Sequence, residues 1–232
     1  MAAGILNSGN QQVDEKVTEQ DIVRDLLFVF QGIEGRLVQY SFAEDAYILQ
    51  PSLQVSPSTR KIINELCELG WLYKKVNDWL KLNVETSLSM DVNQVTQALC
   101  FSIQSELNEY FRLLSILDSQ RQKYTEADTA NFLNLRKLYL WVQEPLDRMK
   151  WLAIIIDSIQ NLKGGAICSA INTFTMNGSP STQQFINRIL KEVSAPILSM
   201  IKTWMIEGEI NDPFREFFVD TDPSIPDEKL WT

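Results

Sequence analysis

The sequence predicts an all-α fold: an array of helical bundles, about eight helices, with one small β-hairpin. Three observations carry this. Apolar residues recur at steps of three and four along most of the chain, which is helical spacing. Glycine and proline punctuate those runs at intervals that leave short connections, as in helical arrays. One stretch alone, residues 37–49, carries a strand signal.

Taken in order, residues 1–17 lack periodicity and read as a flexible N-terminal tail. Thr18, with Asp21 three residues on, resembles a capping box with an acid in place of the usual Glu or Gln. The first helix then runs through Ile22, Val23, Leu26, Leu27, Val29 and Phe30, and Gly32 and Gly35 end it. Leu37-Val38-Gln39-Tyr40 and Ala46-Tyr47-Ile48-Leu49 flank a polar loop and predict the hairpin. Ser56-Pro57 starts the next helix, serine as cap and proline at the first helical position. Its apolar side is Ile62, Ile63, Leu66, Leu69, Leu72, Val76, Trp79 and Leu80. Gly70 sits inside that pattern, which implies close packing beside Trp71 or a kink.

Residues 91–120 give the clearest pattern. Val92, Val95, Leu99, Ile103, Leu107, Tyr110, Leu114 and Leu117 step by three or four without a miss. At 100° per residue they fall within about 60° either side of one line. A helix of ~30 residues is about 45 Å long. Phe101 lies about 180° from the stripe and Ile116 about 120°. Either a neighbouring helix covers that second face, or the face meets a partner.

A polar loop over 122–129 comes next. Helical patterns follow at 130–142, broken by Glu144-Pro145, at 146–162, stopped by Gly164-Gly165, and at 166–176, stopped by Asn177-Gly178-Ser179-Pro180. The last pattern, 182–207, contains Pro196, expected to kink it, and ends at Gly208.

Composition narrows the function. The chain has 232 residues and no histidine. That absence removes most zinc sites, the Ser–His and Cys–His nucleophile pairs, and the best proton carrier near neutral pH. Net charge is −9, unlike the basic balance that phosphate binding favours. Residues 207–229 hold eight acids and two bases, two thirds of the excess. Cys67, Cys100 and Cys168 are odd in number and far apart, each among apolar residues, so they read as buried thiols rather than disulfides or ligands. The start of the chain has no secretory pattern, and residues 152–156, the longest strongly apolar run, are far short of the roughly 20 a membrane helix needs. The acid pairs Glu44-Asp45 and Asp227-Glu228 are adjacent on polar loops, where solvation is the ordinary outcome. Glu65 and Glu68 lack the histidine that a di-iron set needs. Lys163-Gly164-Gly165 follows a helix and lacks the rest of a phosphate loop, so it reads as a helix stop. No catalytic residue, cofactor site or metal site is expected. Long helices without chemistry indicate a scaffold or interaction module.

Five segments together resemble the gamma-tubulin complex component family, in its N-terminal grip domain. They are Ile22-Val23-Arg24-Asp25-Leu26-Leu27-Phe28-Val29-Phe30-Gln31-Gly32-Ile33-Glu34-Gly35; Leu66-Cys67-Glu68-Leu69-Gly70-Trp71-Leu72-Tyr73; Glu106-Leu107-Asn108-Glu109-Tyr110-Phe111-Arg112-Leu113-Leu114-Ser115-Ile116-Leu117; Lys163-Gly164-Gly165; and Trp204-Met205-Ile206-Glu207-Gly208-Glu209-Ile210-Asn211-Asp212-Pro213-Phe214-Arg215-Glu216-Phe217-Phe218-Val219. The motif positions are Gln31, Gly32, Gly35, Leu69, Gly70, Trp71, Gly164, Gly165, Trp204, Gly208, Asp212, Pro213, Glu216, Phe217 and Phe218.

The resemblance implies a structural, non-enzymatic role. Such proteins are V-shaped helical spokes that pair side by side through their N-terminal halves and hold gamma-tubulin on their C-terminal halves. A ring of spokes presents gamma-tubulin in microtubule-like geometry and templates nucleation, meeting the ordering cost of the first turn in advance. By this resemblance residues 18–232 are the grip domain, and the gamma-tubulin-binding half is expected to be absent. The partners implied are other gamma-tubulin complex components, component 2 foremost, with gamma-tubulin reached indirectly through the complex; neither nucleic acid nor membrane is expected. The location implied is the cytoplasm and cytoskeleton at a microtubule-organising centre, a centrosome or spindle pole. Phe101 and Ile116 are the interface candidates. A helical tether unrelated to microtubules, or an enzyme with an unrecognised carboxylate site, would share the composition but not the motif series.

Overall fold

The computed structural model describes residues 18–51, 53–87, 93–122, 133–176 and 178–219. The expected tail at 1–17, the apolar Val92, most of the expected loop at 122–129 and the acidic end after 219 lie outside them. Among the described residues there are six α-helices and one two-stranded sheet: α1 (Glu19–Val29), β1 (Val38–Ser41), β2 (Ala46–Leu49), α2 (Pro57–Ser87), α3 (Gln94–Gln122), α4 (Leu135–Ser158), α5 (Gly165–Thr173) and α6 (Pro180–Glu207). A 3-10 turn, Phe174–Met176, continues α5.

Local chemistry sets the boundaries. Thr18 caps α1 in a reciprocal box: the Asp21 amide donates to its hydroxyl, and its own amide donates to the Asp21 carboxylate, both at 3.3 Å. The hairpin pairs antiparallel with Val38 opposite Leu49 and Ser41 opposite Ala46. The Thr59 amide donates to the Ser56 hydroxyl at the start of α2. Gly208 ends α6 in the left-handed region, φ +72°, with its N–H on the Trp204 carbonyl.

The helix count is below the expected eight, and the break predicted at Glu144-Pro145, which does not occur, accounts for one helix of the difference. α4 runs unbroken from Leu135 to Ser158 through Pro145. Proline has no N–H to give the Trp141 carbonyl, so one helical bond is missing. Val142, Leu146, Met149 and Leu152 nevertheless lie buried in one core, and that packing outweighs the local penalty. α6 runs as one helix through Pro196, as the pattern over 182–207 predicts. Gly70 does not interrupt α2. α4 begins at Leu135, with the Asn134 side chain as its cap, and residues 130–132 of the expected pattern lie outside the described residues.

α2 packs most heavily on α4, and α3 on α6. Two ion pairs cross from α2 to α4: Glu68 with Lys150 at 3.2 Å, and Lys75 with Asp157 at 2.6 Å. Their numbers rise together, so the two helices run parallel and α3 is the crossover between them. The hairpin lies on α2, and α1 touches α2, α3 and α4. One cluster of buried apolar side chains extends from Ile22 on α1 to Val193 on α6.

Candidate interaction surface

α3 has two faces. Val95, Leu99, Ile103, Leu107, Tyr110, Leu114 and Leu117 are buried, as the stripe predicts. Phe101 is 74% exposed and Ile116 is 52% exposed. No described element covers them. They stand on the outer side among exposed Gln97, Gln104, Ser105, Asn108 and Arg112, about 22 Å apart along the axis.

The motif positions fall into two clusters. The first joins the end of α1 to α2. Gly32 takes φ +73°, and a Cβ there would stand 3.2 Å from the Tyr73 ring. A Cβ on Gly35 would stand 2.6 Å from the Asp25 carboxylate, which is buried and accepts the Leu37 N–H at 2.5 Å. A Cβ on Gly70 would stand 2.4 Å from the Val29 carbonyl oxygen, so the expected close packing is real but lies against α1. Leu69 is fully buried, while Trp71 is half-buried with Lys75 Nζ 5.5 Å from its ring. Gln31 donates to the Leu27 carbonyl at 3.0 Å. The Tyr110 hydroxyl donates to the Phe30 carbonyl at 2.8 Å, tying α3 to this corner.

The second cluster gathers the starts of α3 and α5 and the end of α6. Glu216, 5% exposed, accepts the Gln94 N–H at 2.7 Å and the Val95 N–H at 3.0 Å. These are first-turn amides with no partner inside their own helix. Burial pushes the Glu216 carboxyl up, while the two amides pull it down. Gly164 has φ +54°, and a Cβ there would stand 2.6 Å from the Glu216 carbonyl oxygen. The Phe217 N–H donates to Asp212 at 2.7 Å, whose other oxygen is buried without a partner. Phe217 packs under Trp204, ring centroids 5.9 Å apart, and Phe218 projects into solvent beside them. Pro213 is exposed, and a Cβ on Gly165 would meet nothing within 4 Å.

The family model described as the N-terminal region of gamma tubulin complex components matches residues 23–232. This chain belongs to that family. Among curated relatives it is 36% identical to human gamma-tubulin complex component 3, over 93% of this chain and 24% of the relative. It is 37% identical to the component 3 homolog of Xenopus laevis, over 96% of this chain and 25% of the relative. It is 35% identical to component 3 of Arabidopsis thaliana, over 94% and 26% respectively. The chain therefore spans about a quarter of the length of these relatives. Of the motif positions, Gly70 and Glu216 lie at contacts between elements far apart in sequence.

Other groups in this family member were not singled out from sequence. Glu106 is buried and ion-paired with Arg188, with Arg148 at 3.8 Å. Burial pushes its carboxyl up against the pull of both arginines. Its signal was an acid inside an apolar stripe: Glu106 lies about 40° from the line of buried positions. Glu19 on α1 accepts the Leu135 N–H at the start of α4 at 2.8 Å, a remote cap like that of Glu216. An open cavity of about 630 Å³ lies between α4 and α6, lined by Trp151, Phe185, Arg148 and Arg188 among others. No group of three or more metal-binding side chains occurs among the described residues, and no described helix is long and apolar enough to cross a membrane.

Proposed function

We propose that this chain is a structural component of the gamma-tubulin complex that assembles side by side with sister components, component 2 foremost. It contributes in this way to a template for microtubule nucleation at a microtubule-organising centre, a centrosome or spindle pole in the cytoplasm. It reaches gamma-tubulin indirectly, through the complex, and it neither catalyses a reaction nor engages nucleic acid or membrane. Membership of the family, over residues 23–232, carries this reading. Support comes from α3, whose outer side presents Phe101 and Ile116 on a rigid helix with a fully packed back. A large exposed aromatic on a fixed element is the type of residue that anchors interfaces.

The test mixes the purified chain with the matching N-terminal region of component 2 at micromolar concentration and sizes the mixture. Co-elution is expected. Phe101→Asp is expected to abolish it with helicity unchanged, because no buried contact is lost. Separate elution of the two wild-type chains would overturn the pairing. Unfolding by Phe101→Asp would show that Phe101 serves the core.

A further inference from the structure

We propose that residues 209–219 form a latch coupling the end of α6 to the start of α3, with Glu216 as its positioning residue. For its functional consequence this rests on the lateral-assembly reading above. Three features distinguish the segment from an ordinary surface connection. Its carboxylate is buried and spends both oxygens on the Gln94 and Val95 amides, more than 120 residues away in sequence. Its backbone at Glu216 lies so close to Gly164 that a side chain there has no room. Its Phe217 is buried beneath Trp204, with the amide held by Asp212.

These features lock one another. A buried carboxylate is tolerated only while its hydrogen-bond donors stay in place. The donors stay in place only while the first turn of α3 is formed. The carboxylate reaches them only while the segment lies flat on Gly164. The start of α3, the start of α5 and the end of α6 therefore close together or open together. Phe101 follows Gln94 by seven residues, about 10 Å along the same helix. Closing the latch fixes the part of α3 that presents Phe101, so pairing competence depends on the course of the chain after α6.

Site-resolved amide exchange on the intact chain, with pairing measured in parallel, tests this. In the wild type the Gln94 and Val95 amides are expected to be protected, although first-turn amides ordinarily exchange freely. Glu216→Ala is expected to lower protection at both by about tenfold or more beyond the fall at Ile155 in the α4 core, which follows only the change in global stability. Gly164→Ala is expected to give the same local loss with the carboxylate still present. Both variants are expected to weaken pairing with the component 2 region by about tenfold. Glu216→Gln, which keeps an acceptor and the shape, should recover part of each effect. Should Glu216→Ala fail to fold, Glu216→Gln and Gly164→Ala decide. Unchanged exchange at Gln94 and Val95 overturns the latch. Lost protection with undiminished pairing overturns the coupling. Failure of the wild type to pair overturns the lateral-assembly reading instead, and the exchange result still decides the latch.

Discussion

Gly70 and Gly165 both belong to the motif series, yet their surroundings differ. A Cβ at Gly70 would overlap the Val29 carbonyl at 2.4 Å, whereas one at Gly165 would meet nothing within 4 Å. Gly70→Ala must push α1 away from α2 and should cost about 1–3 kcal/mol. Gly165→Ala opens α5 with a better helix former and should be neutral or stabilising by up to about 1 kcal/mol. Urea unfolding of both variants checks this; equal losses would show that space is not what selects glycine at 70. The cysteines yield a second prediction. Burial pushes the Cys67 thiol up to about 12 and the Cys100 thiol to about 11. Both should therefore resist a thiol-specific disulfide reagent at pH 8 until the chain unfolds, since the thiolate is the nucleophile. The linkage has a definite sign. Above pH 9 the unfolded chain loses thiol protons that the native state keeps, so this contribution is full below pH 9 and falls as pH rises towards 12. Rapid labelling of native Cys67 at pH 8 would contradict its burial.

At the scale of elements, what could be read in the sequence was local and what could not be read was remote. The stripe on α3, the Thr18 box, the hairpin and the Gly208 stop each rest on residues a few positions apart, and each occurs in the structure. Glu216 and Glu19 cap α3 and α4 from more than 100 residues away, a relation that no periodicity encodes. Glu216 stood in a recognised motif, but its task was not readable there. Pro145 failed as a break for the related reason that local rules omit packing: the α4 core face continues across it. The bond that Pro145 withholds from Trp141 remains lost. Pro145→Ala should restore it and raise stability by about 1–2 kcal/mol, less than the full penalty of a mid-helix proline because the native helix has already adapted. Thermal unfolding followed by far-UV circular dichroism checks this. A lower midpoint would mean that the ring itself packs against its neighbours more tightly than its half-buried position suggests.

At the scale of the whole molecule, the one buried cluster from Ile22 to Val193 ties all six helices together, so unfolding should be a single transition by circular dichroism and by tryptophan fluorescence. That cooperativity turns stability into a reporter of assembly. A partner that binds only the folded chain stabilises it by RT ln(1 + [L]/Kd), about 2.7 kcal/mol at a hundredfold excess of free partner over Kd. For a chain of this size each kcal/mol moves the midpoint by roughly 2–4 °C, so the component 2 region should raise it by about 5–10 °C. The shift should grow with partner concentration, as mass action requires. Phe101→Asp should unfold at the wild-type temperature when alone, because its side chain is exposed, and should show no shift with partner. Glu216→Ala should unfold lower when alone, by the loss of two buried hydrogen bonds, and should need more partner for the same shift. A full shift retained by Phe101→Asp would place the interface elsewhere on the molecule. A wild type indifferent to partner at every concentration would remove lateral pairing from this chain altogether, while leaving its fold and its family as they stand.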